Sequence, residues 1–323
     1  MRQNKRIIVG IFIVLVMQVF EAQQDAQYTQ YMFNTSSINP AYIGSKENFS
    51  IVGLHRSQWV GFEGAPKTQT LSLNSPLGYL KRTGLGFSII NDVIGISKET
   101  YLNIDFSYKI PFEESTLSFG LKVVGHFLDV DFQKLSVFDV NESNFQGSIN
   151  NEFSPNVGAG VYFNTGNFYL GLSVPNLIQT TVFNKGFDEE DLVGSSALRI
   201  ERTHFYFIGG YVFDLSSYVR FKPTILTKVV LGSPIQMDVS GNFLFYNSVS
   251  LGLAYRFNAS LSAMTGFRIS KPFMVGFAYD IETTALGNVE FNDGSFEVIL
   301  RYHLPERCCG YKRGNRRLTP RFF

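Results

Sequence analysis

From Thr68 onward the chain alternates apolar residues with small or polar ones, segment after segment, at a period of two. Leu102, Ile104, Phe106, Tyr108 and Ile110 alternate with Asn103, Asp105, Ser107 and Lys109, and Leu117, Phe119, Leu121 and Val123 with Ser118, Gly120 and Lys122. That period marks a strand with one apolar face. The pattern returns around Phe87, Val161, Leu170, Phe207, Val239, Leu251, Leu261, Phe277 and Val298. With less regular segments at 49–58 and 68–74 and a weaker one at 219–228, about 14 strands are expected. A soluble sandwich would turn its apolar face inward and cover the other with Lys and Glu. In this chain the second face is Gly, Ser, Ala, Asn and scattered charge, opposite a wall of Phe, Leu, Ile and Val with Tyr near many strand ends. The fold predicted is all-β, a transmembrane outer-membrane β-barrel of about 14 antiparallel strands spanning 48–304.

Composition and loop lengths agree. With 32 Phe, 16 Tyr and 29 Gly but only 17% charged residues, the chain is rich in the residues of a lipid-facing wall. No apolar run after the N-terminus approaches the roughly 20 residues that a membrane helix needs. The connections at 111–115, 164–167, 214–218, 246–248 and 269–272 are short, whereas 91–99, 128–155, 175–201 and 281–294 are long. Such asymmetry predicts periplasmic turns and extracellular loops, with both termini periplasmic and the cell outer membrane as location.

Arg2, Lys5 and Arg6 followed by the apolar run Ile7 to Phe20 predict a secretory signal peptide over 1–22, cleaved after Ala22. Residues 23–47 then form a separate N-terminal segment, "QYMFNTSSINPAYIGS" at its heart. It lacks sustained alternation, and Asn39-Pro40 is unsuited to a central strand. It is expected to stay periplasmic or to fold into the barrel mouth, docking on its own barrel or on a periplasmic partner. Gly84, Gly86, Gly120, Gly158, Gly160, Gly171, Gly252 and Gly276 fall on the lumen face, either to relieve curvature or to leave room for an inserted segment. Residues 305–323 form a basic tail with six Lys/Arg against one Glu.

Catalytic chemistry is hard to find. His55, His126, His204 and His303 are scattered over four strands, and "GLG" at 84–86 lacks the helix of a phosphate loop. The adjacent Cys308 and Cys309 make neither a disulfide framework nor a zinc site. No cofactor, metal or enzymatic activity is expected, and no global charge argues for nucleic acid. Lumen charges of both signs, Asp105, Lys109, Lys122, Asp238, Arg256, Arg268, Glu297 and Arg301, are free to pair across the interior or to tune a pore.

"QDAQYTQYMFNTSSINPAYIGS" followed by "LHRSQWVGFEGAPKTQTLSLNSPL", and later "FKPTILTKVVLGSPIQMDVSGNFLFYNSVSLGLAYR" and "GSFEVILRYHL", resemble the PorP/SprF family of type IX secretion system membrane proteins of Bacteroidota. The resemblance spans about 24–304. It implies a non-catalytic outer-membrane barrel that anchors or adapts a secreted cargo, such as a gliding adhesin bound through its C-terminal domain. Its expected partners are membrane lipid, that cargo and periplasmic secretion components. The alternative is a passive or ligand-selective channel. Partner contacts are expected at Tyr31, Phe33, Asn39, Pro40 and Tyr42 of the N-terminal segment and at Trp59, Gly61, Phe62, Pro66 and Lys67 of the first outer loop, where an aromatic anchor sits beside Gly-Pro rigidity.

Overall fold

The computed structural model describes residues 26–46, 48–132, 148–179, 181–183, 197–200, 202–284, 287 and 292–304. The signal peptide at 1–22, the tail at 305–323 and its two cysteines lie outside the described residues. The strands are β1 (Ser50–Ser57), β2 (Lys67–Leu77), β3 (Thr83–Ile94), β4 (Ser97–Pro111), β5 (Ser115–Asp131), β6 (Ser148–Thr165) and β7 (Phe168–Val174). Next come the short β8 (Thr181–Phe183) and β9 (Ala197–Ile200), then β10 (His204–Tyr211) and the brief β11 (Phe213–Asp214). The chain continues through β12 (Val219–Val230), β13 (Gln236–Phe245), β14 (Val249–Arg256), β15 (Ser260–Arg268), β16 (Phe273–Glu282) and β17 (Ser295–His303).

Each strand pairs antiparallel with its sequence neighbour, β1 closes on β17, and β10 joins β7 to β12. β11 continues the line of β10 past Val212 and pairs with β12. The result is a closed barrel of 14 strands. Closure leaves no strand edge to meet lipid, where an unpaired N–H or C=O would cost several kcal/mol. β8 and β9 form a separate hairpin within the connection from β7 to β10.

The expected faces hold. On β5, Phe119, Leu121 and Val123 are exposed on the outside, while Ser118, Gly120, Lys122 and His126 are buried within. Tyr79, Tyr218 and Tyr246 stand exposed at one end and Tyr255 and Phe257 at the other, as aromatic girdles do. The end holding Phe49 and Leu304, whose backbones bond at 2.9 Å, is called the terminal end below. Its connections are short throughout; at Tyr246-Asn247 both residues take positive φ, the tight hairpin geometry.

Three segments differ from expectation. The long loop expected at 91–99 is the top of a hairpin in which β3 and β4 run on to a two-residue turn at Gly95-Ile96. Its polar residues have partners on adjacent strands: Thr68 Oγ1 donates to Asp92 at 2.6 Å, and Thr100 Oγ1 to Asn91 at 3.3 Å. Within 128–155, β5 likewise extends to Asp131 and β6 begins at Ser148, with an irregularity between Leu128 and Val130. The weak strand at 219–228 is the full-length β12, in which Pro223 sits opposite Gly241.

Candidate functional site

The lumen is filled by the chain's own N-terminal segment. It enters at the far end, where Gln27 Nε2 donates to Gln236 Oε1 at 3.1 Å, and leaves at the terminal end, where Lys46 Nζ lies 3.3 Å from His303 Nε2. In between it makes a short helix, Thr35–Ile38, and a 3-10 turn, Pro40–Tyr42. A proline opens that turn because the missing N–H is unneeded there. Ala26 and Leu304 therefore lie at opposite ends of the barrel, although both termini were expected on one side. The reason is that the segment runs through the lumen before β1 begins.

A charged clamp holds the far half of the segment. Glu297 accepts the backbone N–H groups of Thr29 and Gln30 at 2.8 and 2.9 Å, one on each carboxylate oxygen. Arg56 lies 2.6 Å from Asp280 and 3.3 Å from Glu297 and donates to Thr29 Oγ1 at 2.7 Å; that hydroxyl in turn donates to Asp280 at 2.6 Å. All four residues are buried. A buried carboxylate or guanidinium alone would be costly, but here charge meets charge and the remaining hydrogen-bonding positions hold the segment's backbone. Farther along, Ser173 donates to Ile38 O at 2.9 Å, Ser107 to Ile43 O at 2.6 Å and Lys122 to Ser37 O at 3.4 Å, while Lys109 donates to Gly44 O. The wall thus grips mainly the main chain of the segment.

Glycines make the room. A Cβ on Gly84 would sit 2.6 Å from Ile43 O, and one on Gly86 would meet the Ile43 side chain. One on Gly120 would strike the Ala41 backbone; on Gly160 and Gly171 it would strike the Asn39 amide, and on Gly276 the Gln30 amide. Six of the eight lumen glycines named from the sequence thus lie directly under the segment, as an inserted chain requires. The other two serve other neighbours, Gly158 the Pro175 carbonyl and Gly252 the Asn242 side chain.

The five site residues predicted in the N-terminal segment all point into this interior. Tyr31 is buried, with its hydroxyl 3.3 Å from Ser240 Oγ. Phe33 lies under the Arg301 guanidinium, 5.6 Å from it. Asn39 bridges two strands, its Nδ2 donating to Val161 O at 3.0 Å and Leu172 O at 3.3 Å and its Oδ1 accepting from Ala41 N at 2.9 Å. Pro40 is buried, and Tyr42 meets Tyr162 edge-on at 5.3 Å. The outer-loop group lies apart, at the far end. Trp59 Nε1 donates to Glu282 at 3.2 Å, Val60 N–H donates to Gly294 O at 2.9 Å while Val60 O accepts from Asp293 N–H at 2.8 Å, and Gly95 N–H reaches Gly64 O at 2.8 Å. Gly61 and Lys67 are exposed, Trp59 and Phe62 half-buried and Pro66 buried.

The predicted lumen charges pair where opposite signs adjoin: Lys122 lies 3.6 Å from Asp105, and Arg256 forks onto Asp238 at 2.9–3.0 Å. Arg56 and Asp280, the centre of the clamp, were missed. Their signal was present, because Arg56 shares a face with Val52 and Leu54, and Asp280 with Gly276 and Ala278. Among the described residues no group of three His, Cys, Asp or Glu is placed to hold a metal ion.

No curated protein sequence matches the chain. Among solved structures, the toluene transporter TbuX of Ralstonia pickettii superposes with a TM-score of 0.50 at 12% identity, over 83% of this chain and 92% of that one. The toluene transporter TodX of Pseudomonas putida gives 0.46 at 9% identity over 84% and 93%, and Omp33 of Acinetobacter baumannii 0.44 at 9% over 81% and 100%. The likeness to TbuX is one of fold, an outer-membrane barrel. The sequence profile of the family described as type IX secretion system membrane protein PorP/SprF matches residues 20–302, from before the lumen segment to the last strand. On that match, the chain belongs to the PorP/SprF family of type IX secretion system membrane proteins.

Proposed function

We propose that this barrel is a non-catalytic anchor or adaptor of type IX secretion that holds a secreted cargo, such as a gliding adhesin, at the cell surface. The observation that carries this reading is the filled lumen. A segment gripped by Glu297, Arg56, Ser107, Ser173 and Lys122 from the far end to the terminal end leaves little path for solute. The useful surfaces are then the two ends. In this reading the short connections face the periplasm and its secretion components, and the far end faces out. Cargo contacts fall to Trp59, Gly61, Phe62 and Lys67 on a loop strapped at both sides, while Tyr31, Phe33, Asn39, Pro40 and Tyr42 hold the segment in place.

A channel is the competing reading, and the fold shared with the toluene transporter TbuX speaks for it. One pair of measurements separates the two. Deleting the gene is expected to remove a secreted adhesin from the cell surface, and the purified protein in liposomes is expected to pass no small solute. Normal surface display together with solute flux would refute the adaptor reading.

A further inference from the structure

The two ends of the barrel carry opposite charge, although the whole chain is close to neutral at +1. The turns and strand tips of the far end hold Glu63, Asp129, Asp131, Glu152 and Asp293 against Lys67, Lys98 and Arg202. At the terminal end Lys46, Lys81, Arg82, Lys109, Arg220 and Lys271 stand against Glu113, Glu114 and Asp214, with Glu47 outside the described residues. Hydrogen bonds do not cancel that excess: Lys109 donates to the Gly44 carbonyl, which leaves its charge intact, and Arg220 meets Asp214 at 3.4 Å. Even with each of these carboxylates matched to one cation, positive charge remains at this end.

The terminal cations stand beside the most exposed apolar side chains of the rim. In the turn between β2 and β3, Tyr79 is 82% exposed, against 63% for Leu121 in the lipid-facing wall, and exposed Leu80, Lys81 and Arg82 follow it directly. Lys81 N–H donates to Gly78 O at 3.2 Å and Lys109 N–H to Arg82 O at 2.7 Å, so the backbone of this turn is pinned. In the turn between β15 and β16, exposed Ile269 precedes exposed Lys271, and Ile269 N–H donates to Phe273 O at 3.0 Å. Tyr218 and Tyr246 carry the apolar rim round through the turns before β12 and β14. Apolar side chains at the end of a lipid-facing wall lie at the level of the headgroups, and Lys or Arg beside them reach the aqueous layer that holds the phosphates. A leaflet surrounds the barrel and meets all these turns at once, whereas a folded acidic protein would cover one sector. We propose that the terminal rim, with Arg82 and Lys271 as principal contacts, binds the phosphate groups of anionic phospholipids in the surrounding leaflet, and that the acidic far end does not. The inference concerns only the difference between the two ends, so it is independent of the cargo and of which end faces out.

The test uses the full-length protein in non-ionic detergent micelles, with thermal unfolding followed by circular dichroism while short-chain phosphatidylglycerol, or separately phosphatidylcholine, is added. A saturable rise in unfolding temperature is expected with phosphatidylglycerol alone, shrinking as salt is raised from about 0.05 to about 0.5 M. Each Lys or Arg at an anionic membrane surface strengthens binding about fivefold. Arg82→Gln and Lys271→Gln, on separate turns, are therefore each expected to weaken the apparent affinity about fivefold, and the double variant about 25-fold. Both side chains are exposed, so the variants are expected to unfold with the wild type in phosphatidylcholine; if one does not fold, the other still gives the comparison. Lys98→Gln removes one exposed cation from the far end and is expected to leave the response unchanged. Poly-glutamate at matched charge is expected to give no comparable rise; an equal rise would assign the rim to an acidic polypeptide and overturn the proposal. So would the absence of a rise beyond phosphatidylcholine, an unchanged response in the Arg82 and Lys271 variants, or an equal loss in Lys98→Gln.

Discussion

Replacing Gly84 by alanine tests whether the lumen segment is fitted to the wall. In most strands an alanine is worth about 0.5–1 kcal/mol more than glycine, because the backbone loses less freedom on folding. At Gly84 the new methyl would lie 2.6 Å from the Ile43 carbonyl oxygen and 2.5 Å from Ser107 Oγ, against 3.4 Å for ordinary contact. The carbonyl must retreat by about 0.8 Å, which breaks the 2.6 Å bond it accepts from Ser107. Losing that bond costs about 1 kcal/mol and the overpacking about 1–3 kcal/mol, so after the strand gain the net loss is about 1–3 kcal/mol. Gly53 on β1 supplies the control, since a Cβ there meets nothing within 4 Å. Gly53→Ala should therefore be neutral or slightly stabilising. Urea unfolding of the two refolded variants, followed by circular dichroism, gives the comparison, and planar-bilayer recordings add a second readout in which only Gly84→Ala should conduct. If Gly84→Ala matches Gly53→Ala in midpoint and stays closed, the segment is not held against the glycines and the packing argument fails.

Glu297→Gln keeps the shape of the clamp but points an amide at Arg56 and at the two N–H donors of Thr29 and Gln30; a loss of about 2–4 kcal/mol in urea is expected, and a shift under 0.5 kcal/mol would contradict the clamp. Asn39→Ala removes three hydrogen bonds and should cost about 2–3 kcal/mol, whereas Asn39→Asp should cost more because a carboxylate would face the carbonyls of Val161 and Leu172; the reverse order would count against the assigned amide orientation. Trp59 is the only tryptophan, so its fluorescence reports on the far-end loop alone. Glu282→Ala should shift that emission while moving the global midpoint by no more than about 0.5 kcal/mol, and an unchanged spectrum would mean that the Trp59 to Glu282 bond is absent in solution.

How much of this was legible in the sequence depends on the kind of signal. Period-two alternation encodes which face of a strand meets lipid, so the outward row Phe119, Leu121, Val123 and the strand number could be read directly. Loops were harder. Asn91, Asp92, Lys98 and Glu99 look like loop residues because they are polar, yet they form strand above the apolar band, where wall residues such as Thr68 bond them. The lumen glycines carried a real signal with two meanings, and only the path of the N-terminal segment chose between them. Arg56 and Asp280 escaped notice because their importance lies in the pairing of β17 with β1 on one side and β16 on the other, a long-range fact that no local pattern contains. The direction of the segment was likewise unreadable, since "QYMFNTSSINPAYIGS" names the residues that pack but not the end at which they start.

The clamp also bears on the order of assembly. Thr29 and Gln30 belong to the earliest described part of the chain, yet the carboxylate that holds them, Glu297, is on the last strand, and Arg56 is on the first. These are the two strands whose pairing closes the wall. Contacts across more than 260 residues of sequence form late, because chain entropy must be lost before they repay it. Seating the segment and sealing the barrel are therefore one event. A nascent chain ending before Glu297 could neither close its wall nor retain its plug, so an incomplete copy would present an unfinished, unplugged sheet to the membrane-insertion and proteolytic machinery.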